Sequence, residues 1–429
     1  MRSLFAFLFL ASALIAMTGC TRITLAWADL EPNGDAATPP VLGSSEVTVT
    51  TPAQWQRERV PPLRAAFERE VYGEMPDDYQ VNVLERRLLA EAAYGGALYE
   101  YRLQGAITFG ETVNETKPFY MNVLLPTGVD QPPIILMETF CPRWNTIPHE
   151  AVTKIDGMSD CSGNGPIAGL MRFVFGRYIA TPPLEMILAQ GYGVATIFPS
   201  EYVPDDSKAG LAALEALSNG HDGARWGAIA AWAWGYSAMV DVLENDPATA
   251  QSAFISWGHS RYGKSALLAA AYDARVDMVI AHQSGTGGAS LNREKRGESL
   301  AAITKTYPHW FSPNYADFAG REAEMTVDQH QLLALIAPRP VMLGNARRDV
   351  WSDPNGAFRA AQGADPVYAL YGRAGLAQDR LDQWKSDADL AFWIRPGTHG
   401  VVEEDWPAFL EFLDAHKAQP SGVSTAAKH

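Results

Sequence analysis

The stretch that decides the fold runs from Trp257 to Ser265 and reads WGHSRYGKS. It contains the pattern Gly-x-Ser-x-x-Gly, in which Ser260 is the central serine. An apolar segment over 252–256 precedes it and favours a strand, and an alanine-rich segment over 266–272 follows it and favours a helix. A serine on a tight strand-to-helix turn, crowded by small residues, presents its hydroxyl to solvent. The pattern therefore predicts that Ser260 is a nucleophile.

This strand, turn and helix match the nucleophile elbow of α/β-hydrolases, and the surrounding sequence agrees with that fold. Apolar strand-like segments alternate with helical patterns from about residue 90 to residue 416. Such alternation predicts a mostly parallel central sheet with helices on both faces. The usual elbow reads Gly-x-Ser-x-Gly, whereas here the second glycine comes one residue later. The departure matters because Arg261 places a permanent cation beside Ser260.

The composition is that of a globular protein. The chain has 429 residues, of which 47% are hydrophobic and 19% are charged. A formal net charge of −15 argues against nucleic acid as a partner, although a local basic pocket can still bind an acidic substrate. The nine histidines show neither an HExxH pattern nor another ligand-like spacing, so we expect no metal and no other cofactor. We expect a monomer.

The N-terminus reads as an export signal over residues 1–19. It has a basic start, an apolar run over 4–17 that is shorter than the ~20 residues of a membrane-spanning helix, and small residues before Cys20. The sequence MTGC at 17–20 resembles a bacterial lipobox, which predicts lipidation of Cys20, with plain secretion as the alternative. We therefore expect an exported protein that is lipid-anchored in the periplasm or at the outer membrane, or otherwise secreted, and that meets a membrane only through this anchor.

Three further segments follow the signal. Residues 20–50 are rich in Pro, Gly, Ala and Thr and read as a tether or extended arm. Residues 51–416 show no clean internal boundary and are predicted to form one catalytic domain, followed by a disordered tail over 417–429. The domain contains Cys141 and Cys161, which we expect to form a disulfide in an exported protein. The alternative is two free buried thiols.

A serine nucleophile needs a base and an acid, and this fold supplies them in the order serine, acid, histidine. His399 follows the last strand-like segment, 390–394, in a Pro-Gly-Thr-His-Gly loop, so it is the predicted general base. The acid is expected on the loop after the preceding strand. Asp349 lies nearest the end of that strand, and Asp353 is the alternative, because an aspartate before proline is also a common turn residue.

Two cations lie close to the predicted nucleophile. The backbone N–H of Arg261 points to the oxyanion by the logic of the fold, and its guanidinium is a further candidate donor. The alternative for the guanidinium is a salt bridge that only caps the elbow. Lys264 stands one helical turn beyond Ser260, on the same face at the helix start. Together these charges suit a uronate-bearing or otherwise anionic ester.

The sequence from Gly258 to Lys264 resembles the Gly-x-Ser-Arg-x-Gly-Lys signature of the glucuronoyl esterases, carbohydrate esterase family 15. The resemblance extends over most of residues 90–416, with matching stretches at 226–235, 284–288, 297–299, 307–311 and 349–351. It implies an α/β-hydrolase that cleaves the ester between 4-O-methyl-glucuronate on xylan and lignin alcohols. It also implies that Lys264 contacts sugar hydroxyls and that Glu298 and Trp351 line the uronate pocket.

The sequence departs from the family pattern in two places. Many members carry a catalytic glutamate where this chain has Gln283, which cannot hold a negative charge opposite His399. Some bacterial members place the acid after the later strand, where Asp349 stands, and the chain resembles that variant. Residues 138–165 also lack the oxyanion strand end that the family pattern predicts. Another carbohydrate esterase of the acetyl-xylan esterase type, and a non-catalytic carbohydrate-binding protein on the same fold, therefore stay as alternatives.

Overall fold

The computed structural model describes residues 26–34, 37–43, 48–158, 161 and 174–417. The predicted signal over 1–19, the lipidation site Cys20 and nearly all of the predicted tail lie outside these residues. Within the described part, ten strands form one mixed sheet. The strands are β1 (Asp78–Ala93), β2 (Gly96–Phe109), β3 (Thr112–Glu115), β4 (Phe119–Pro126), β5 (Ile134–Glu138), β6 (Gly193–Ile197), β7 (Phe254–His259), β8 (Val276–His282), β9 (Val341–Ala346) and β10 (Leu390–Arg395).

The order of the strands across the sheet is β1-β2-β4-β6-β5-β7-β8-β9-β10, and β3 pairs with β2. Strands β5 to β10 are parallel to one another, which confirms the predicted parallel sheet. The strands β1 to β4 add an antiparallel extension at one edge. The carboxyl ends of the parallel strands meet at one edge of the sheet, where α/β proteins place their sites.

Helices cover both faces of the sheet. Alternate residues of β5 point to opposite faces, so that Ile134 and Leu136 belong to one hydrophobic core and Ile135 and Met137 to the other. The α-helices are α1 (Pro52–Gln54), α2 (Val60–Phe67), α3 (Arg143–Thr146), α4 (Leu184–Ala189), α5 (Ala209–Leu217), α6 (Ala228–Glu244), α7 (Arg261–Tyr272), α8 (Leu300–Thr306), α9 (Pro313–Asp317), α10 (Gln329–Ile336), α11 (Pro354–Leu370) and α12 (Asp405–His416). Helices α6, α7, α10 and α11 cover the first face, and α4 and α12 cover the second. In the part of the chain that the structure describes, none of the helices has the length and apolarity to cross a bilayer.

The described part of the predicted tether is bound to the domain. The Leu381 N–H donates to the Leu30 carbonyl over 3.0 Å, and His330 Nε2 lies 2.8 Å from the Pro39 carbonyl oxygen. Residues 26–34 and 37–43 thus form an arm against the folded body rather than a free linker. We call residues 26–34 the N-terminal arm.

The segment that follows β5 is fixed in two ways. Cys141 and Cys161 form a disulfide. Arg143 is fully buried, and its guanidinium donates to Glu201 Oε1 over 2.7 Å and to Asn122 Oδ1 over 2.7 Å. A buried charge is tolerated where a partner charge and hydrogen bonds replace water. These contacts hold the start of the segment beside the carboxyl end of β5.

A buried carboxyl group joins β5 to α7, the helix that follows Ser260. Glu138 ends β5 and accepts a hydrogen bond from the hydroxyl of Ser265 on α7. The Tyr202 hydroxyl lies 3.5 Å from its second oxygen. Burial raises the pKa of Glu138 well above its ordinary value of 4.5, and the hydrogen bonds oppose this rise only partly. Burial therefore favours the neutral form of this carboxyl in the folded protein over a wider pH range than in the unfolded chain.

We predict that Glu138→Gln stabilises the protein increasingly as the pH rises. The unfolded chain releases the proton above about pH 4.3, whereas the raised pKa makes the folded protein release it only at higher pH. Between these two pKa values the wild-type free energy of unfolding falls with pH, by up to about 1.4 kcal/mol per pH unit. The amide removes this dependence and keeps an acceptor for Ser265. Urea unfolding of both proteins at about pH 4, 6 and 8 measures the difference. Parallel pH dependences of the two proteins would show that Glu138 is ionised when folded.

Candidate active site

The structure forms the strand-to-helix turn that the sequence predicts. Strand β7 ends at His259, α7 begins at Arg261, and Ser260 between them has φ +57° and ψ −122°. Residues other than glycine rarely adopt a positive φ, and the backbone strain of this conformation is concentrated at functional sites. A Cβ atom on Gly258 would stand 1.9 Å from the Tyr262 carbonyl oxygen, so this position requires glycine. The turn thus holds Ser260 at the carboxyl edge of the sheet.

His399 and Asp349 meet at the same edge. His399 lies on the loop between β10 and α12, and Asp349 lies on the loop between β9 and α11. His399 Nδ1 is 2.7 Å from Asp349 Oδ2, and the Ser352 hydroxyl donates to the same oxygen over 2.6 Å. A proton on Nδ1 leaves Nε2 of the neutral ring as the acceptor. This is the arrangement of a histidine base and the carboxylate that orients it.

The electrostatics of Asp349 agree with that role. Its residue is 3% exposed. Burial alone would raise the pKa of Asp349, but the charge of His399 and the hydrogen bonds from His399 and Ser352 outweigh burial and lower the pKa below the ordinary 3.8. The carboxylate is therefore ionised at neutral pH, ready to stabilise a positive charge on the imidazole.

Asp353, the alternative acid, has a different task in the structure. It is the N-cap of α11, where its side chain accepts from the Gly356 N–H over 2.9 Å. Its second oxygen lies 3.8 Å from Lys295 Nζ. The carboxylate contact of His399 goes to Asp349, so the geometry favours Asp349 over Asp353 as the acid.

Gln283 has a role that the sequence did not reveal. It follows β8 and is 2% exposed. Its side-chain amide donates to the Thr398 carbonyl over 3.2 Å and accepts from the Gly400 N–H over 2.8 Å. These are the two residues that flank His399. The amide therefore fixes the peptide groups on both sides of the predicted base, which a carboxylate could do only in part.

The guanidinium of Arg261 forms an ion pair with Asp205. It also lies 5.3 Å from the centre of the Phe140 ring and 5.2 Å from that of Trp310. Asp205 in turn accepts from Trp310 Nε1 over 2.8 Å and contacts His309. The structure thus shows the salt bridge that the sequence left as an alternative for this side chain.

A cavity opens beside Ser260 and His399, and the three residues predicted to bind substrate line it. They are Lys264, Glu298 and Trp351. The remaining lining residues that the structure describes are Gln283, Ser284, Gly285, Trp310 and Ser352. Residues from six separate parts of the sequence therefore converge on one cavity at the carboxyl edge of the sheet.

The charges in this cavity are interdependent. Lys264 is buried, and its ammonium donates to the carbonyl groups of Ser284 and of Thr286, the latter over 2.7 Å. Burial raises the pKa of the Glu298 carboxyl above its ordinary value, while Lys264 and Lys295 limit the rise. Lys264 therefore ties the loop after β8 to α7, in addition to placing a positive charge near Glu298. Across the residues that the structure describes, His, Cys, Asp and Glu side chains form no group fit to hold a metal ion.

These features are typical of a serine hydrolase of the α/β-hydrolase class: the turn that carries Ser260, the pair of His399 and Asp349, and the cavity beside them. Comparison with known proteins identifies the family within that class. Residues 184–372 match the family model described as glucuronyl esterase, fungi. The carbohydrate esterase MZ0003, from an unknown prokaryotic organism, is 33% identical over 393 residues, which cover 88% of each chain. The chain belongs to carbohydrate esterase family 15, the glucuronoyl esterase family, and is a carboxylic ester hydrolase.

Solved structures agree with this assignment. A promiscuous family 15 esterase from a marine bacterial metagenome superposes with a TM-score of 0.76 at 30% identity, covering 90% of this chain and 100% of that chain. A glucuronoyl esterase from Solibacter usitatus gives a TM-score of 0.73 at 31% identity, covering 90% and 99%. The 4-O-methyl-glucuronoyl methylesterase 1 of Wolfiporia cocos is 34% identical over 156 residues, 34% of this chain and 38% of its own length. These neighbours confirm the α/β-hydrolase fold that the sequence predicts.

We predict that the hydrogen bonds of Gln283, rather than its volume, support His399. Gln283→Met keeps the length of the side chain and loses both bonds, so kcat should fall about 10-fold, the cost of one or two buried hydrogen bonds. Gln283→Glu keeps the acceptor for Gly400 and should lose less. Steady-state hydrolysis of an aryl acetate reports this chemistry without any sugar contact. A wild-type kcat in Gln283→Met would mean that the loop of His399 holds its position unaided.

Proposed function

We propose that the protein hydrolyses esters of glucuronate or 4-O-methyl-glucuronate, as in the linkages between xylan and lignin alcohols. The observation that carries the proposal is the single cavity in which Ser260 and His399 stand beside Glu298, Lys264 and Trp351. Membership of the glucuronoyl esterase family supports the same substrate. The placement of Asp349 against His399 argues against a non-catalytic binding protein.

In the proposed reaction, Ser260 Oγ attacks the ester carbonyl while His399 Nε2 takes its proton. The tetrahedral intermediate collapses as His399 gives that proton to the leaving alcohol, and a glucuronoyl ester remains on Ser260. Water, activated by His399, then attacks this ester and releases glucuronate. Asp349 stays ionised throughout and stabilises the imidazolium that forms in each step.

We propose that the oxyanion is stabilised at the start of α7. The backbone N–H of Arg261 belongs to the first residue of this helix, where the helix dipole favours negative charge. The guanidinium of Arg261 adds a positive charge at the same place, although its ion pair with Asp205 offsets part of that charge. Asp205 thereby fixes the direction of the guanidinium and so prepares it as a second donor.

The sugar would be recognised by Glu298, Trp351 and Lys264. Glu298 is largely buried yet lines the cavity, so its carboxylate can accept from sugar hydroxyls without competition from bulk water. Trp351 offers a flat apolar face to the sugar ring. Lys264 holds the loop after β8, and its charge limits the rise in the pKa of Glu298. Because Lys264 also lines the cavity, it can contact the sugar hydroxyls as well.

Export of the protein and lipidation of Cys20 remain part of the proposal. They rest on the sequence of residues 1–20, which lie outside the described part. An extracytoplasmic location fits the disulfide between Cys141 and Cys161.

The proposal is tested with a benzyl ester of glucuronate, acetylated xylan and an aryl acetate as parallel substrates. The wild type should hydrolyse the glucuronate ester with the highest kcat/KM, and Ser260→Ala should lose several orders of magnitude in kcat on all substrates. Glu298→Gln should lose about 10- to 100-fold in kcat/KM on the glucuronate ester, equivalent to about 1–3 kcal/mol, and little on the aryl acetate, which lacks hydroxyl groups to bind.

Glu294→Gln provides the matched control, because Glu294 is an exposed carboxylate only four residues from Glu298. It should leave all three activities unchanged. A preference for acetylated xylan over the glucuronate ester would contradict the proposed substrate. Equal losses of Glu298→Gln on the glucuronate ester and the aryl acetate would mean that Glu298 maintains the structure rather than reads the sugar.

A further inference from the structure

The N-terminal arm lies along the outside of the loop that carries Asp349. We call residues 347–353, which join β9 to α11, the acid loop. At its first residue, the Ala28 N–H donates to the Arg347 carbonyl over 2.6 Å, and the Arg347 guanidinium returns a bond to the Ala28 carbonyl over 3.4 Å. The Trp27 ring lies 5.1 Å from the guanidinium of Arg347 and 5.5 Å from that of Arg348. The arm is thus attached where the acid loop begins.

A second attachment lies just beyond the end of the acid loop, at Asn355 on α11. Its side-chain N–H donates to the Asp29 carbonyl over 2.7 Å, and its side-chain oxygen accepts from the Asn33 N–H over 2.8 Å. Asn355 is 4% exposed, so its amide needs these partners. Leaving the buried amide without partners would destabilise the fold by about 1–3 kcal/mol. The first turn of α11 could avoid this cost only by moving outward, so that water could bind the amide.

The inner side of the acid loop faces the active-site cavity and carries Asp349 and Trp351. Asp349 contacts His399, and the Trp351 carbonyl accepts from the Glu298 N–H over 2.8 Å. The loop is therefore held between the cavity on one side and the arm on the other. An outward shift of about 1 Å would lengthen the contact between Asp349 and His399, and displacements of that size can cost about 100-fold in rate.

We propose that the N-terminal arm braces the acid loop, and that Asn355 is a positioning residue through which the arm keeps Asp349 against His399. The inference rests on the proposed function, because it takes Asp349 as the acid of the reaction. It adds that a segment outside the hydrolase sheet sets the geometry of that acid. The arm is then a part of the active site's support rather than a passive connection.

Asn355→Ala tests the brace, with Asn33→Ala as the matched control. Asn355→Ala removes both bonds to the arm, whereas Asn33→Ala removes a surface contact to Asp29 within the arm and keeps the Asn33 N–H. Active sites are titrated with a covalent serine probe, so that kcat refers to folded, labelled enzyme. We expect kcat of Asn355→Ala to fall on the order of 10-fold on both the aryl acetate and the glucuronate ester, with the KM for aryl acetate little changed. Asn33→Ala should keep the wild-type kcat.

Ala28→Pro tests the opposite end of the acid loop and stands in if Asn355→Ala does not fold. Proline removes the N–H that bonds to Arg347. It should lower the normalised kcat in the same direction. A wild-type normalised kcat in the variant, with losses confined to the number of titratable sites, would overturn the proposal. If the wild type hydrolyses aryl acetate but no glucuronate ester, the proposed substrate fails, while the aryl acetate still decides whether the arm positions Asp349.

Discussion

The hydrogen bond between His399 and Asp349 is the interaction on which the rest of the site depends. The bond, 2.7 Å from His399 Nδ1 to Asp349 Oδ2, joins the two loops that follow the neighbouring parallel strands β10 and β9. Without it, the imidazole has neither a defined tautomer nor a partner for the positive charge it gains in the reaction. The parallel register of the sheet brings the two loops together, and their surroundings set the distance between the two side chains.

Separate supports converge on this pair. Ser352 donates to Asp349 from within the acid loop, and Gln283 holds both peptide groups beside His399. The N-terminal arm closes the outer side of the acid loop through Asn355. The hydrogen bonds from Ser352 and His399 offset the cost of burying the Asp349 carboxylate, because they replace water by donors of fixed direction. The contacts of Gln283 and Asn355 instead restrict the motion of the two loops. Catalysis of this kind gains most from groups that need not rearrange during the reaction.

The sequence was sufficient for features that follow from local patterns. The strand, tight turn and helix around Ser260 were predictable from the sequence, and so were the positions of His399 and Asp349 on loops after the last two strands. Contacts between distant residues were not predictable in this way. Nothing in the sequence near Asn355 indicates that its amide bonds to residues 29 and 33. Gln283, because it has no charge, suggested only that the family glutamate is absent, and not that its amide holds the loop of His399. The composition of residues 20–50 predicts a tether or extended arm. A segment rich in proline and glycine can be a free linker or can lie bound along a surface, so the composition does not distinguish the two.

Comparison of Asp349→Asn with Asp353→Asn tests the account most directly. Both changes remove one negative charge from the same region, and asparagine still caps α11 at position 353. Steady-state kinetics on the glucuronate ester, normalised to titrated active sites, should show a loss in kcat on the order of 1,000-fold or more for Asp349→Asn. Asp353→Asn should stay within about 10-fold of the wild type. A large loss in Asp353→Asn together with near-normal activity in Asp349→Asn would contradict the assignment of Asp349 as the partner of His399.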